Sequence, residues 1–199
     1  MADRFPAQPR SELDASTQPF YDRFSETADA MFEEGKKPMF ITKRPSDGAL
    51  VGPFPFFLEQ PESGDAIFNL YGKIAQIPGL PPDAREVIIL AVGAKFKSAY
   101  ELYAHVNVAV KKTGIPQHVA DAIARGERPD DLKEDLRVAY DAASYLAGTP
   151  GALPQELWDQ CIKTFGKDGT IKLVHYAGSY AYTCIVLNAI DASVPKESD

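Results

Sequence analysis

Residues 85–105 read Arg85-Glu86-Val87-Ile88-Ile89-Leu90-Ala91-Val92-Gly93-Ala94-Lys95-Phe96-Lys97-Ser98-Ala99-Tyr100-Glu101-Leu102-Tyr103-Ala104-His105. Two helices are legible here, over about 82–94 and 98–113. Pro82 opens the first and Gly114 follows the second, the usual asymmetry of helix ends. Further along the chain the same signals predict helices over 116–124, 131–147 (stopped by Gly148), 154–165 and 169–190, and upstream over 64–76. Phe20, Phe24, Ala28, Met31 and Phe32 recur at helical spacing with Asp22, Arg23, Glu26 and Asp29 between them. Residues 19–34 therefore read as an amphipathic helix, stopped by Gly35. Alternating strand patterns and solenoid periods are absent, so the expected fold is all-α, a compact bundle of six to eight helices joined by short Pro/Gly turns.

Between these helices, residues 36–61 carry Pro38, Pro45, Pro53, Pro55 and Pro61 with Gly48 and Gly52, which leaves little room for regular structure. Phe54, Phe56 and Phe57 are too apolar for a solvated linker. They read as an ordered loop pinned on the helical body, or as an exposed patch that meets a subunit neighbour. Residues 1–18 are expected to form a flexible N-terminal arm ahead of a single domain over 19–195.

With 199 residues the chain has the length of one domain. Lys+Arg 21 against Asp+Glu 28 gives 21 − 28 = −7, and no basic cluster exceeds Lys111-Lys112, which argues against a nucleic-acid surface. The longest apolar run, 87–92, is far short of the roughly 20 residues of a membrane span. The N-terminus lacks the apolar block of a secretory signal, and the C-terminus carries no retention tripeptide, so a cytoplasmic location is expected. Cys161 and Cys184 are far apart and form no CxxC pair, which fits a reducing compartment and supports neither a disulfide scaffold nor a structural zinc site.

Ser98, Glu101 and His105 are spaced by three and four, which places them on one face of one helix. A carboxylate one turn from an imidazole suits proton transfer near neutral pH. The same spacing has a purely structural origin: Ser98-x-x-Glu101 before an apolar run is a capping box, in which the Ser oxygen accepts an amide of the first turn and the Glu reaches back to the Ser amide. His105 on its own would be a hydrogen-bonded core histidine, and Tyr100 and Tyr103 would be packing residues.

The run Arg85-Glu86-x6-Val92, followed by Tyr100-Glu101-x3-His105 and the turn Lys112-Thr113-Gly114-Ile115-Pro116, resembles the carboxymuconolactone decarboxylase family, which also contains the alkylhydroperoxidase D-like peroxidases. The segment from Leu173 to Pro195, with Tyr180 and Leu187-Asn188, is similar to that family's terminal helix, so the resemblance covers residues 48–195. In the peroxidase branch the helix starts with Cys-x-x-Cys and carries a His four residues later, with an upstream Glu in a proton relay. By resemblance these positions fall on Ser98, Glu101, His105 and Glu86, and Tyr100 stands where that branch has a second relay histidine. Both thiols are missing, so disulfide chemistry at this site is not expected. Cys161 and Cys184 lie on other helices and read as buried small hydrophobes.

The decarboxylase branch also lacks the thiols and keeps a Glu and a His here. The resemblance therefore implies loss of carbon dioxide from a small carboxylated lactone or enol acid, with no cofactor and no metal, the substrate acting as its own electron sink. His105 is the expected proton donor, Glu101 its partner or a second acid/base, and Glu86 a relay. Arg85 is expected to hold the substrate carboxylate, since its planar fork matches that group, or else to form a salt bridge between adjacent helices. Tyr100, Ser98 and His175 complete the expected pocket, while His118 should be exposed. Glu101, His105 and His175 would together also raise a metal site. A non-catalytic assembly or binding subunit, and an isomerase or hydratase using the same Glu-His pair, are the alternatives. A homo-oligomer is expected, from the family and from the apolar surface of residues 54–57 and the first helix.

Overall fold

The computed structural model describes residues 4–34 and 37–196. Eight α-helices are present among them: α1 (Gln18–Phe32), α2 (Phe54–Glu59), α3 (Pro61–Gln76), α4 (Pro82–Phe96), α5 (Ala99–Thr113), α6 (Gln117–Ala124), α7 (Glu134–Gly148) and α8 (Gln155–Ile190). The axis of the bundle is α4. Every residue from Val87 to Gly93 is buried, and α5, α6, α7 and α8 pack around it. A helix apolar on all sides has no solvent face and must take the centre. Burial of each Ile or Leu in that run is worth about 1.5–3 kcal/mol relative to exposure.

The ends of the helices follow the chemistry of their flanking residues. Pro occupies the first turn of α1, α2, α3 and α4, where its missing N–H costs nothing. Gly114 closes α5 in the left-handed conformation, whereas Gly148 is itself the last residue of α7. α8 is two helices: Gly166 (φ 68°, ψ −177°) breaks it, giving arms over 155–165 and 167–190. The break precedes Gly169, which belongs to the second arm; a Cβ there would lie 2.5 Å from the Gly79 carbonyl oxygen, so this glycine permits close approach of the chain leading into α4.

Three expectations are corrected. Residues 54–59 are not loop but the short helix α2, whose Phe54 and Phe57 are buried against Phe24 and Phe68 of α1 and α3. Phe56 is half-buried and meets Phe5 edge-on, so this segment offers no large patch to a neighbour. Among the described residues a strand ladder exists as the two-residue pair β1 (Glu33–Glu34) and β2 (Lys37–Pro38) after α1, with an isolated antiparallel bridge between Lys43 and Leu50; Gly35, the expected helix stop, lies outside the described residues, and the helix itself ends at Phe32. Residues 4–17 contain a single 3-10 turn (Arg10–Glu12), and Arg4 donates to the Ala189 carbonyl while Arg10 forks onto Asp22.

The molecule thus has two layers. One is the α4-centred core. The other is an aromatic layer of α1, α2 and α3, with Met39 and Phe40 stitched to α5 through Tyr100, whose hydroxyl donates to the Ile41 carbonyl (3.1 Å), and Tyr103, whose hydroxyl accepts from the Ile41 amide (3.0 Å). No helix among the described residues is long and apolar enough to cross a membrane.

Candidate active site

The α4–α5 turn is only Lys97 and Ser98, and Lys97 takes the left-handed conformation (φ 52°) to make it. So tight a turn folds α5 back along α4 and sets Glu86 beside His105. His105 Nδ1 lies 2.7 Å from Glu86 Oε2, and Glu86 Oε1 accepts from the Arg85 guanidinium at 2.8 Å. On the other side of the ring, His105 Nε2 is 3.2 Å from Glu101 Oε1 but off the hydrogen-bonding direction, which leaves that oxygen without a hydrogen-bond partner. Arg85, Glu86, His105 and Glu101 form one line; the last three are buried, at 1%, 5% and 4% exposure.

The two carboxyls respond to burial in opposite ways. Burial alone would raise Glu86, but the facing His105 and the Arg85 guanidinium more than offset it and hold it below the usual carboxylate range. Burial raises Glu101, the nearby Glu86 charge adds to the rise, and His105 offsets only part. His105 is raised: burial disfavours its charge, yet the two carboxylates outweigh burial. The shifts favour an ionised Glu86, a charged His105 and a Glu101 that retains its proton more readily than an ordinary glutamate.

Glu101 and His105 face a cavity of about 60 Å³ walled by Phe32, Phe40, Phe54, Phe57, Phe68 and Tyr71, together with Tyr100, Tyr180 and Thr183. Tyr180 meets the His105 ring edge-on at 5.1 Å, Phe32 does so at 6.3 Å, and Tyr71 is hydrogen-bonded to Thr183 at 2.7 Å. Behind His105 lies a second cavity of about 220 Å³, lined by Arg85, Glu86, Lys112 and Tyr176. Met31, Phe32, Tyr71, His105 and Tyr180 belong to both, so these side chains are the partition between an apolar aromatic chamber and a vestibule that carries Arg85 and Lys112. A cleft of about 250 Å³ between the N-terminal arm, residues 44–55 and the C-terminal tail has Arg44 as its one ionisable group, and Arg44 forks onto Asp47.

Several sequence expectations meet this geometry directly. The capping box does not form. Ser98 is the N-cap of α5, but its hydroxyl makes no cap hydrogen bond, its amide donates to Gly93, and Glu101 turns to His105 instead of reaching back. The Ser98 hydroxyl is buried beside the Cys184 thiol, away from the chamber lining. Tyr100 lines the chamber, but its hydroxyl is spent on the backbone of residue 41. Arg85 forms no salt bridge between helices: its ion-pair partner is the adjacent Glu86, its side chain also hydrogen-bonds Tyr176 of α8, and it is 26% exposed to the vestibule. His175 is not in the site. It lies on the exposed outer face of α8, in a groove between α3 and α8, so Glu101, His105 and His175 do not converge as metal ligands. His118 is exposed, as expected. Cys161 and Cys184 are both free and buried; burial pushes the first up to about 11 and the second further still.

Sequence reasoning overlooked the lining that α1, α2 and α3 supply, notably Phe32, Phe68 and Tyr71. The one signal pointing to it was the density of phenylalanines before residue 70, more than a four-turn helix needs to dock.

No family model and no curated protein matches the sequence. Solved structures do match. The debrominase Bmp8 in complex with 2,3,4-tribromopyrrole superposes with a TM-score of 0.72 at 14% identity, covering 99% of this chain and 94% of that one. The alkylhydroperoxidase AhpD core of an uncharacterised peroxidase-related protein from Ralstonia eutropha JMP134 superposes with a TM-score of 0.73 at 16% identity, covering 98% and 93%. The chain is an all-α bundle with the alkylhydroperoxidase D-like fold.

Proposed function

We propose that this chain is a cofactor-independent, decarboxylase-like enzyme that acts on a small carboxylated lactone or enol acid by proton transfer. The observation that carries the reading is the pair of buried carboxyls displaced in opposite directions about one imidazole, with the proton-retaining member facing an apolar chamber. Two titratable groups held apart in this way mark an acid and its charge partner. His105 Nδ1 is held by Glu86 and Nε2 faces Glu101 at 3.2 Å, so we assign the donor role to Glu101, with His105 the group that resupplies it.

The step balances as follows. The substrate's carbon–carboxylate bond breaks, carbon dioxide leaves, and the electron pair spreads into the conjugated carbonyl. Glu101 delivers its proton to carbon, His105 passes a proton to Glu101, and a solvent proton taken up through the vestibule restores His105, with Glu86 holding the ring throughout. Arg85, paired with Glu86 and hydrogen-bonded to Tyr176, is the cation that a carboxylate entering through the vestibule would meet. The aromatic walls exclude water and so prolong the life of the carbanionic intermediate. A five-membered lactone is similar in size to the tribromopyrrole ring that Bmp8 binds.

The reading of a non-catalytic subunit would be favoured by Glu101 locked in a helix cap and His105 packed among leucines; neither is the case. The test is to screen carboxylated unsaturated lactones and enol acids for carbon dioxide release, with Glu101→Gln as control. Release that is abolished in the variant supports the reading. Turnover without carbon dioxide, by isomerisation or hydration, would keep the acid and replace the reaction; release unaffected by the substitution would remove Glu101 from the mechanism.

A further inference from the structure

We propose that the hydroxyl of Tyr180 is the donor that meets a ring carbonyl of the substrate and stabilises the charge developing on its oxygen. The proposal rests on the decarboxylase-like reading for the reaction and on hydrogen-bond accounting for the residue. In that reaction the electron pair of the broken carbon–carboxylate bond moves onto a conjugated carbonyl oxygen, while the Glu101 proton goes to carbon. The oxygen therefore needs a donor of its own, and inside an apolar chamber a fixed donor is worth more than water.

Four hydroxyls line the chamber, those of Tyr71, Tyr100, Tyr180 and Thr183. Three are committed. Tyr100 donates to the Ile41 carbonyl (3.1 Å) and Thr183 to the Ser179 carbonyl (3.0 Å), so in the Tyr71–Thr183 contact (2.7 Å) it is Tyr71 that donates. The Tyr180 hydroxyl forms no hydrogen bond among the described residues. A tyrosine hydroxyl inside a protein normally has a partner, and an exception calls for a reason. Packing supplies none. The Tyr180 ring meets His105 edge-on at 5.1 Å, stacks on Tyr71 at 6.1 Å and lies 6.0 Å from the Tyr176 ring, contacts that a phenylalanine would make equally well.

The position fits the role. Tyr180 lines both the chamber and the vestibule, and its hydroxyl is within electrostatic range of Glu101, Glu86 and Arg85. A substrate reaching from Arg85 to Glu101 crosses the partition where Tyr180 stands. Burial and the neighbouring carboxyls raise the phenol well above its ordinary range, so at neutral pH it remains a donor. It donates without giving up its proton: the electron pair moves to the carbonyl oxygen as carbon dioxide leaves, and returns to carbon when Glu101 protonates it.

The experiment uses the unsubstituted butenolide, a five-membered unsaturated lactone with no carboxylate to lose, isotopically labelled at its carbonyl carbon. Isotope-edited infrared spectroscopy reads its C=O stretch on the full chain. Bound to wild type, the band should lie below its position in an apolar solvent. Tyr180→Phe should reverse most of that shift while changing the Kd by less than about tenfold, and should melt no lower than wild type, because the hydroxyl has no partner to lose. On a substrate identified by carbon dioxide release, kcat should fall by about 10²–10³ with KM little changed, the scale of one lost oxyanion donor. Failure of wild type to bind butenolide at millimolar concentration overturns the proposal. So does a band that Tyr180→Phe leaves in place, a band that Tyr176→Phe moves instead, or a lower melting temperature in Tyr180→Phe. The two readings fail separately. A Tyr180-dependent band without carbon dioxide release from any lactone keeps the donor and removes the decarboxylase, whereas release with full kcat in Tyr180→Phe does the reverse.

Discussion

Two carboxyls flank one histidine, and both are buried, yet their proton affinities are shifted in opposite directions. On the Glu86 side the charge is matched: Arg85 and His105 each present a donor at 2.7–2.8 Å, and the vestibule beyond also carries Lys112. On the Glu101 side the nearest cation is off-axis, the rest of the wall is aromatic, and one oxygen has no hydrogen-bond partner. Burial therefore does not set the protonation state here; the partners do. The paired carboxyl is held as a charge, and the unpaired one is the group to which the proposed mechanism gives the proton transfer.

Substitutions at the two positions should differ in kind. Removing the charge of Glu86 leaves His105 and Arg85 facing an uncharged group inside the protein, and breaking a buried pair in this way typically costs 3–5 kcal/mol. Glu86→Gln should lower the unfolding free energy measured by chemical denaturation by about that amount, and lose activity with it. If Glu101 holds its proton, Glu101→Gln replaces a neutral acid by a neutral amide of the same shape, and the unfolding free energy should change by less than about 1 kcal/mol. Its kcat on an identified substrate should nevertheless fall by roughly two to four orders of magnitude, the scale of acid/base catalysis. Equal stability losses at the two positions would break the contrast.

The pH dependence sharpens it further. His105 and Glu101 both have raised values in the folded chain, so the fold holds more protons than the unfolded chain above their ordinary values of 6.5 and 4.5. Their stabilising contribution is full at lower pH and lost as pH rises through the folded values. Glu86 is lowered and acts the other way, its contribution being present at neutral pH and lost as pH falls through its depressed value. Stability should accordingly decline from about pH 5 toward pH 8, and the decline should flatten in Glu101→Gln. A profile that rises across this window would contradict the assignment.

Smaller effects separate the thiols and the helix cap from the chemistry. The chain should show no thiol peroxidase activity, and Cys161→Ala with Cys184→Ala should retain turnover apart from packing losses, because neither thiol ionises readily and no pair of cysteines faces the chamber. Peroxide-dependent turnover lost in the double variant would reverse this. Ser98→Ala should cost less than the 0.5–2 kcal/mol of a lost N-cap, since its hydroxyl caps nothing. Thermal denaturation of that variant gives the answer.

How much of this was legible in the sequence differed between the two layers. The helices around α4 were read to within a few residues because their signals are local: proline openings, Gly114 after α5, an apolar run too continuous for a surface helix. Even the division of α8 could be expected, although its hinge is Gly166, since the position of a left-handed glycine depends on what the chain must avoid. The aromatic layer was harder. Prolines at 53, 55 and 61 read as loop punctuation, whereas Pro55 and Pro61 sit in the first turns of α2 and α3, where a proline is compatible with helix.

At the site, the spacing of Ser98, Glu101 and His105 was visible, but capping and catalysis share that spacing. Only the rotamer of Glu101, set by His105 across the turn, distinguishes them. The Glu86–His105 contact joins residues 19 apart and entered the sequence reading through family resemblance alone. His175 failed as a site residue because its helix turns that face outward, which no short spacing could show.

The central claim is that Glu101 keeps its proton while Glu86 does not. Infrared spectroscopy of the wild-type chain near neutral pH tests it directly through the C=O stretch of a protonated carboxyl. The band should be present in wild type, retained in Glu86→Gln if that variant folds, and absent in Glu101→Gln. A wild-type spectrum without a protonated-carboxyl band, or one whose band survives in Glu101→Gln, would contradict the account.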